Sequence, residues 1–429
     1  MWEIISKLYP ICRSITGNGT RETLRIIGQH IPLDIHEVPS GTKVFDWTVP
    51  QEWNIKDAFI KNAQGQRIVD FAQSNLHVMS YSIPFEGKLS LDELKSHLFT
   101  LPDHPDWIPY RTSYYKEDWG FCLTHHQLDE MSDPEYEVSV ESSLMQGHLS
   151  YGECFIPGQT EDEILVSCHV CHPSLCNDNL SGIAVSVSLA RQMSQSRKYS
   201  YRFLFIPGTI GSITWLALNE KQTPRIKHGV VITGVGDRGP FTYKKTRRGD
   251  AEIDRAFSHV LKHSEDSSQV IDFQPYGYDE RQFCSPGFNL PVGCVMRTPF
   301  GQYPEYHTSA DNLDFVQMES LVDSFRKCAE VLNLLEDNAV YVNQNPKCEP
   351  QLGKRGLYQS TGGESHKRFD QRALLWVLNL SDGTHDLLDI AERSNYDFET
   401  IKDAANLLVK NDLLKPVAPH DGNSRPVCD

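Results

Sequence analysis

No stretch of this chain is long and apolar enough to mark a membrane span: the most apolar later window, "FLFIPGTIGSITWLAL", is short and broken by Pro207, Gly208 and Gly211. The first residues place Glu3 and Lys7 inside any apolar core and offer no small-residue cleavage site, so a secretory signal is not expected. Internal repeats and low-complexity tracts are lacking too. Positive charge is scarce, with 41 Lys and Arg against 57 Asp and Glu and a formal net charge of -16. A phosphate backbone or an anionic lipid surface would be repelled, which argues against a general nucleic-acid or membrane binder. The 11 cysteines, an odd number, lack the spacing of a disulfide scaffold. Reduced thiols in a cytoplasmic protein are the expectation.

What is present is ordinary globular material: 429 residues, 39% hydrophobic and 23% charged, enough for two or three domains with an ample core. Residues 1–45 open with helical patterns broken at Gly17–Gly19. Residues 46–150 interleave Trp47, Trp53, Trp107, Trp119 and many tyrosines with turn signals, the texture of a small inserted β-rich domain. Across 151–340 the brief apolar runs "ILVSCH", "RFLFIP", "GVVITGVG" and "LPVGCVMR" alternate with helical segments. That alternation predicts an α/β fold with a mostly parallel sheet flanked by helices, completed by residues 1–45. Leu321, Phe325, Cys328, Leu332 and Leu335 mark a closing amphipathic helix. Residues 340–365 read as a linker and 364–429 as a C-terminal winged helix, with helical patterns over Arg372–Leu378, from near Thr384, and after Asp397. This last region holds 8 Lys and Arg against 12 Asp and Glu, whereas base-reading modules concentrate positive charge on the recognition helix. A protein partner or self-association is therefore expected of it, and nucleic acid is not.

In parallel sheets, sites form at the carboxyl ends of the strands. His169 ends the run "ILVSCH", and Asp178 stands in an Asn-Asp-Asn-Leu-Ser-Gly turn that opens a small-residue helix. Asp237 follows "VVITGVG", and His307 lies in "PEYHTSADN". A hydrolytic zinc needs about three protein ligands and one open position, and mixed nitrogen and oxygen donors from distant segments suit it. Taken singly, each residue has a blander reading, as a core histidine or a turn-forming aspartate; the shared strand-end setting carries the metal reading. A rival is a thiolate cluster of Cys168, Cys171 and Cys176 around His169 and His172. Against it, Cys168 and His169 are strand neighbours that point to opposite faces, and no second Cys-x-x-Cys pair completes a four-thiolate site.

The segments "SCHVCHPSLCNDNLSG", "GVGDRG" and "EYHTSADN" resemble the zinc aminopeptidase superfamily that includes bacterial leucyl aminopeptidases. They are most similar to a subgroup of aminopeptidase-like proteins with an inserted β domain and a C-terminal winged helix, linked to polysaccharide biosynthesis. The resemblance implies His169 as the first histidine ligand, Asp178 as the bridging aspartate, Asp237 as the later aspartate and His307 as the final histidine. Two departures stand out. The aspartate of the His-x-Asp motif is Cys171 here, and the Glu-Glu pair expected after "RFLFIP" reads Gly208, Thr209, Ile210. One zinc is then expected rather than two, and the proton-transfer role moves to Glu280 or Glu305. Asp279 is a candidate for holding a ligand histidine. His172, Arg281 and Arg297 are candidates for gripping substrate, and Tyr303 and Tyr306 for supplying a hydroxyl to a developing oxyanion. The expected activity is zinc-dependent hydrolysis of an amide, at a peptide N-terminus or on an aminoacyl or acyl amide of a sugar or metabolite. The alternative, from another class, is a metal-stabilised binding or regulatory protein that acts through its winged helix.

Overall fold

A computed structural model describes residues 1–193, 196–357 and 370–417. Parts of the expected linker and of the expected winged-helix span, 358–369 and 418–429, lie outside the described residues. The chain forms two compact units: Met1–Asp254 with Asp266–Ala329, and Arg255–Glu265 with Glu330–Asp429.

In the first unit the apolar runs become an eight-stranded sheet. Its strands are β1 (Asp34–Pro39), β2 (His148–Ile156), β3 (Glu163–His169), β4 (Ser200–Ile206), β5 (Ile226–Ile232), β6 (Phe241–Lys244), β7 (Ser268–Ile271) and β8 (Val292–Met296), in the spatial order β1-β2-β4-β3-β5-β8-β6-β7. The central strands β4, β3, β5 and β8 run parallel, while β1, β2 and β6 pair antiparallel around them. Every residue of β3 and β4 is buried, as continuous apolar runs require when both faces of a strand are covered. Helix α1 (Gly182–Gln192) packs on β3 and β5. Gly182 permits that approach, since a Cβ there would lie 2.6 Å from the Ile232 carbonyl oxygen. Helix α2 (Ile210–Asn219) follows β4 and is almost wholly buried along its first two turns.

Within 46–150 the chain builds a separate four-stranded antiparallel sheet, ordered Arg67–Asp70, Glu52–Lys61, Tyr136–Met145, Phe85–Leu89. Its alternating inner face covers Ala58, Ile60, Val69, Phe121, Val138 and Val140. The main sheet resumes at His148 with β2.

The second unit contains α3 (Gln371–Leu380), α4 (Leu387–Ser394) and α5 (Phe398–Lys410), capped by Asp370, Asp386 and Asp397 through side-chain bonds to the first-turn amides. A three-stranded sheet places Val340–Asn343 between Asp382–Asp386 and Leu414–Pro416. Val340–Asn343, read from sequence as the start of the linker, is thus the central strand. Four residues carry too little pattern of their own, and partners distant in sequence decide their state. Among the described residues no helix is long and apolar enough to cross a membrane, and no cysteine is in a disulfide.

Candidate metal centre

β3 delivers His169 at its carboxyl end, fully buried. The segment Cys176–Ser181 then turns into α1 through a kink in which Asp178 (φ -110°, ψ 80°) and Asn179 (φ -144°, ψ 35°) leave helical geometry. The kink is stitched to the loop after β5. Asn179 donates to the Ile232 carbonyl and accepts from the amides of Gly182 and Gly234, Ser181 Oγ accepts from Val235, and Asn177 Oδ1 accepts from Gly236. From the other side the Asp311 carboxylate receives the amides of Asn177 at 2.6 Å and Asp178 at 3.0 Å. This backbone satisfaction fixes where the Asp178 side chain points.

It points into three imidazoles. Asp178 Oδ1 lies 2.8 Å from His169 Nε2, and Oδ2 lies 3.0 Å from His307 Nε2 and 3.9 Å from His172 Nε2. The donor atoms of His169, His172 and Asp178 all fall within 4.8 Å of one another, and among the described residues no such group includes a cysteine. Tyr278 Oη donates to Asp178 Oδ2, and its ring stacks on His169 with centroids 4.1 Å apart. His307 sits at φ +57°, a region rare for a residue with a side chain and concentrated at functional sites. Its carbonyl accepts from the Tyr110 amide at 2.8 Å, and its ring is sandwiched by Tyr306 (3.9 Å, stacked) and the edge of Tyr110 (5.2 Å). A tyrosine from the 46–150 segment therefore forms one wall of the site.

The electrostatics follow from burial. Desolvation works to raise the Asp178 carboxyl, yet His172, His169 and His307 outweigh it and hold it well below the ordinary carboxylate range. His172 is pushed well below its ordinary value by burial, which Asp178 only partly offsets. Burial also holds Tyr278 well above the ordinary phenol value, leaving a neutral hydroxyl to donate. Cys168 and Cys171 are pushed up to about 12 by burial, which keeps them as thiols.

His169, His172 and Asp178 form a buried donor group that fits a zinc ion with an open side, while His307, its side chain 33% exposed, reaches Asp178 Oδ2 from outside that mutually spaced group. The remaining residues singled out from sequence fall elsewhere or into other tasks. The Asp237 carboxylate is taken up by Asn177 Nδ2, the Gly239 amide and both the amide and hydroxyl of Thr298, outside the convergent group. Glu280 is fully buried in an ion pair with Lys244, its other oxygen accepting the Tyr278 amide. Glu305 is half-buried, its carbonyl accepting from Thr308. Arg297 is spent on Asp323 and the carbonyls of Gly239 and Ser320. Arg281 has a buried Nε without a hydrogen-bond partner among the described residues. Tyr306 Oη meets Tyr278 Oη at 3.2 Å, and Tyr303 Oη accepts from Asn177 Nδ2 at 3.4 Å.

Where the Glu-Glu pair is missing, a Cβ placed on Gly208 would lie 3.2 Å from His169 Cβ and 3.6 Å from Asp279 Oδ2. Asp279 is fully buried: Oδ1 accepts from Ser212 Oγ at 2.7 Å, Oδ2 has no partner among the described residues, and burial raises the carboxyl to about 6. Sequence reasoning assigned no role to Asp311, Tyr110 or Ser212, and saw Tyr278 only as part of a polar segment. Asp311 had a usable signal, four residues after His307 in the same "HTSADN" run. Ser212 had a weaker one, a hydroxyl in the first turn of the helix that follows Gly208.

Residues 2–338 match the model of a family described as "Domain of unknown function (DUF4910)", and residues 339–416 match a winged helix-turn-helix. A protein of Clostridium acetobutylicum, named for polysaccharide biosynthesis and an aminopeptidase-like domain, is 56% identical over 418 residues, covering 97% of this chain and 96% of its own. A crystal structure from Clostridium acetobutylicum, described as that of a peptidase, superposes with a TM-score of 0.93 at 54% identity over 97% of this chain and 96% of that one. BSAP, a zinc aminopeptidase from Bacillus subtilis, shares the fold at a TM-score of 0.57 and 13% identity, over 77% of this chain and 93% of its own.

Proposed function

The chain belongs to the family described as domain of unknown function DUF4910, continued by a winged helix-turn-helix, and from that premise we propose that it is a zinc-dependent hydrolase of the aminopeptidase type that cleaves an amide bond. The observation that carries the reading is the convergence of His169, His172 and His307 on the single buried carboxylate of Asp178 at the carboxyl end of β3. His169, Asp178 and His307 would hold one zinc, with His172 as a further donor and Asp237 fixing the Asn177 side of the turn. A zinc ion supplies Lewis acidity, which polarises a carbonyl and eases the ionisation of water. The chain's own residues do the rest. Tyr306 presents a neutral hydroxyl to an oxygen that gains charge, Tyr278 keeps its own proton directed at Asp178, Tyr110 closes the wall against water, and Asp279 Oδ2 exchanges a proton. Glu305 is the second candidate for that proton, and Glu280, held by Lys244, leaves the role. The substrate is a peptide N-terminus or an acyl amide on a sugar or metabolite, in keeping with the name of the Clostridium acetobutylicum relative. The acidic winged helix serves a protein partner or a second copy of the chain, in the cytoplasm.

One observation favours a second reading, a metal-stabilised binding protein: Gly208 brings no side chain to the strand end. Metal analysis of protein purified without added zinc decides the first step. About one zinc per chain, lost in both His169→Ala and His307→Ala, supports the centre, and metal that survives both changes sinks it. Turnover of an amide panel that disappears in Asp279→Asn while zinc remains supports the hydrolase; zinc with no turnover in any variant favours the binder.

A further inference from the structure

The hairpin Lys43–Val44 and Trp47–Thr48 closes through a two-residue turn, Phe45–Asp46. Phe45 occupies it at φ +56°, a conformation that suits glycine and that a bulky side chain enters only at an energetic cost. The fold recovers little of this by burying the ring, because Phe45 is 54% exposed and the adjacent Trp47 is 43% exposed. Both instead line a cavity of about 370 Å³, shared with Phe288, with Ile213 and Leu216 of α2 and Glu220 just past its end, and with Gln282 and Ser285. Phe288 meets the edge of Phe45 at 5.8 Å, and Tyr115 extends the aromatic wall from Trp47 at 5.3 Å.

The polar half of the lining is equally distinctive. The side chains of Asp46, Glu220, Gln282 and Ser285 line the cavity, and none has a hydrogen-bond or ion-pair partner among the described residues. Flat aromatic faces beside acceptors and an amide, with no lysine or arginine among the lining residues, define a ligand class. Such a ligand has an apolar face, a rim of hydroxyls and no negative charge. Two carboxylates disfavour a phosphorylated or uronic sugar and favour a rim that donates hydrogen bonds.

We propose that this cavity is a binding site for a neutral or amino-substituted sugar ring, stacked on Phe45 and Trp47 and hydrogen-bonded through its hydroxyls to Asp46, Glu220 and Gln282. The site requires no metal. Its failure would leave the reading of the imidazole cluster standing, and the reverse holds as well.

The test is a titration of the full chain in the presence of EDTA, followed by tryptophan emission and calorimetry. The probes are maltose, lactose, cellobiose and the glucosamine disaccharide, with glucuronate as the charged comparison. The expected result is a saturable emission shift with at least one uncharged or amino sugar, weakened roughly tenfold or more in Trp47→Ala, and no response to glucuronate. Phe45→Gly separates binding from folding, since glycine relieves the positive φ and should preserve or raise the melting temperature while weakening the sugar. The proposal is overturned if no sugar of the panel binds up to its solubility limit, if Trp47→Ala and Phe45→Gly bind as the parent does, or if glucuronate binds best.

Discussion

β3 carries a buried charge cluster at each end, and the two are built on opposite logic. At its amino end Glu163 receives Arg202 through both oxygens, at 2.7 and 2.9 Å. Arg202 also meets Glu153, whose second oxygen accepts from Trp215 Nε1 at 2.8 Å. Guanidinium and carboxylates match in geometry, and the group is closed on itself. At the carboxyl end one carboxylate faces three imidazoles and a phenol, and Asp279 Oδ2 has no partner among the described residues. Such an excess of ligand-type atoms adds little to stability, because buried polar groups contribute only when each is satisfied. The difference separates charge that is matched within the sheet from charge that the fold leaves incompletely matched.

Removing one member from each end should expose that difference most sharply. Arg202→Met leaves two buried carboxylates uncompensated and should cost about 3–5 kcal/mol in urea unfolding of the metal-free protein. Asp178→Asn, equally buried, should cost less than Arg202→Met under the same conditions, because the amide oxygen can still accept from Tyr278 and the imidazoles it served can stand neutral. Equal losses at both ends would erase the distinction. Adding zinc sharpens it from the other side. At a free concentration about 100 times the dissociation constant, zinc should stabilise the parent by about 2.7 kcal/mol, read as a rise in melting temperature. The rise should vanish in Asp178→Asn and in His169→Ala. It should persist in any amino-end variant mild enough to remain folded, such as Glu153→Gln, and a zinc response that survives Asp178→Asn would place the metal elsewhere.

The two ends were not equally legible in the sequence. His169, Asp178 and His307 could be picked out because each follows a short apolar run or sits in a turn-forming segment, and strand ends are where α/β folds put chemistry. Their convergence could not be read, since it depends on Asp311 and Asn179 bending the 176–181 segment onto the loop after β5. Glu280 looked like an available base from its polar neighbours. Nothing local announced that Lys244, 36 residues earlier, would take it into the core. Asp237 looked like a ligand for the same kind of reason, while its actual partners Asn177 and Thr298 lie about 60 residues away on either side. The winged helix was readable through its helical spacing and the start after Asp397, while the middle helix begins beyond Thr384, after the cap Asp386. Its central strand was not, because four residues gain their identity from partners near Asp382 and Lys415.

A smaller contrast lies in how each region answers pH. Asp279 has its folded value raised to about 6 by burial. The folded state therefore holds a proton that the unfolded chain has already lost, and stability falls as pH rises from about 3.8 to 6. Asp279→Asn keeps the partner of Ser212 and removes that penalty. It should gain about 1–3 kcal/mol at pH 7 and nothing near pH 3, measured by urea unfolding at the two values. A loss at pH 7 would mean that the carboxylate supports the fold rather than the site.

The weakest effect belongs to a third charge group, which tests whether exposure alone decides the matter. Arg21 holds Glu52 at 2.6 Å and Glu37 at 3.0 Å, with Glu37 35% exposed. The Arg21 hydrogen bond, working against partial desolvation, draws Glu52 down to about 2. A depressed folded value means that the contribution is fully present above the unfolded value near 4.5 and is lost as pH falls towards 2. Screening by solvent limits it to about 1 kcal/mol. Glu52→Gln should therefore lower stability by that amount at pH 7, and the deficit should close as both proteins approach pH 2. A deficit that instead reached the size of the Arg202→Met loss would show that matched geometry, and not burial, sets what an ion pair contributes in this sheet.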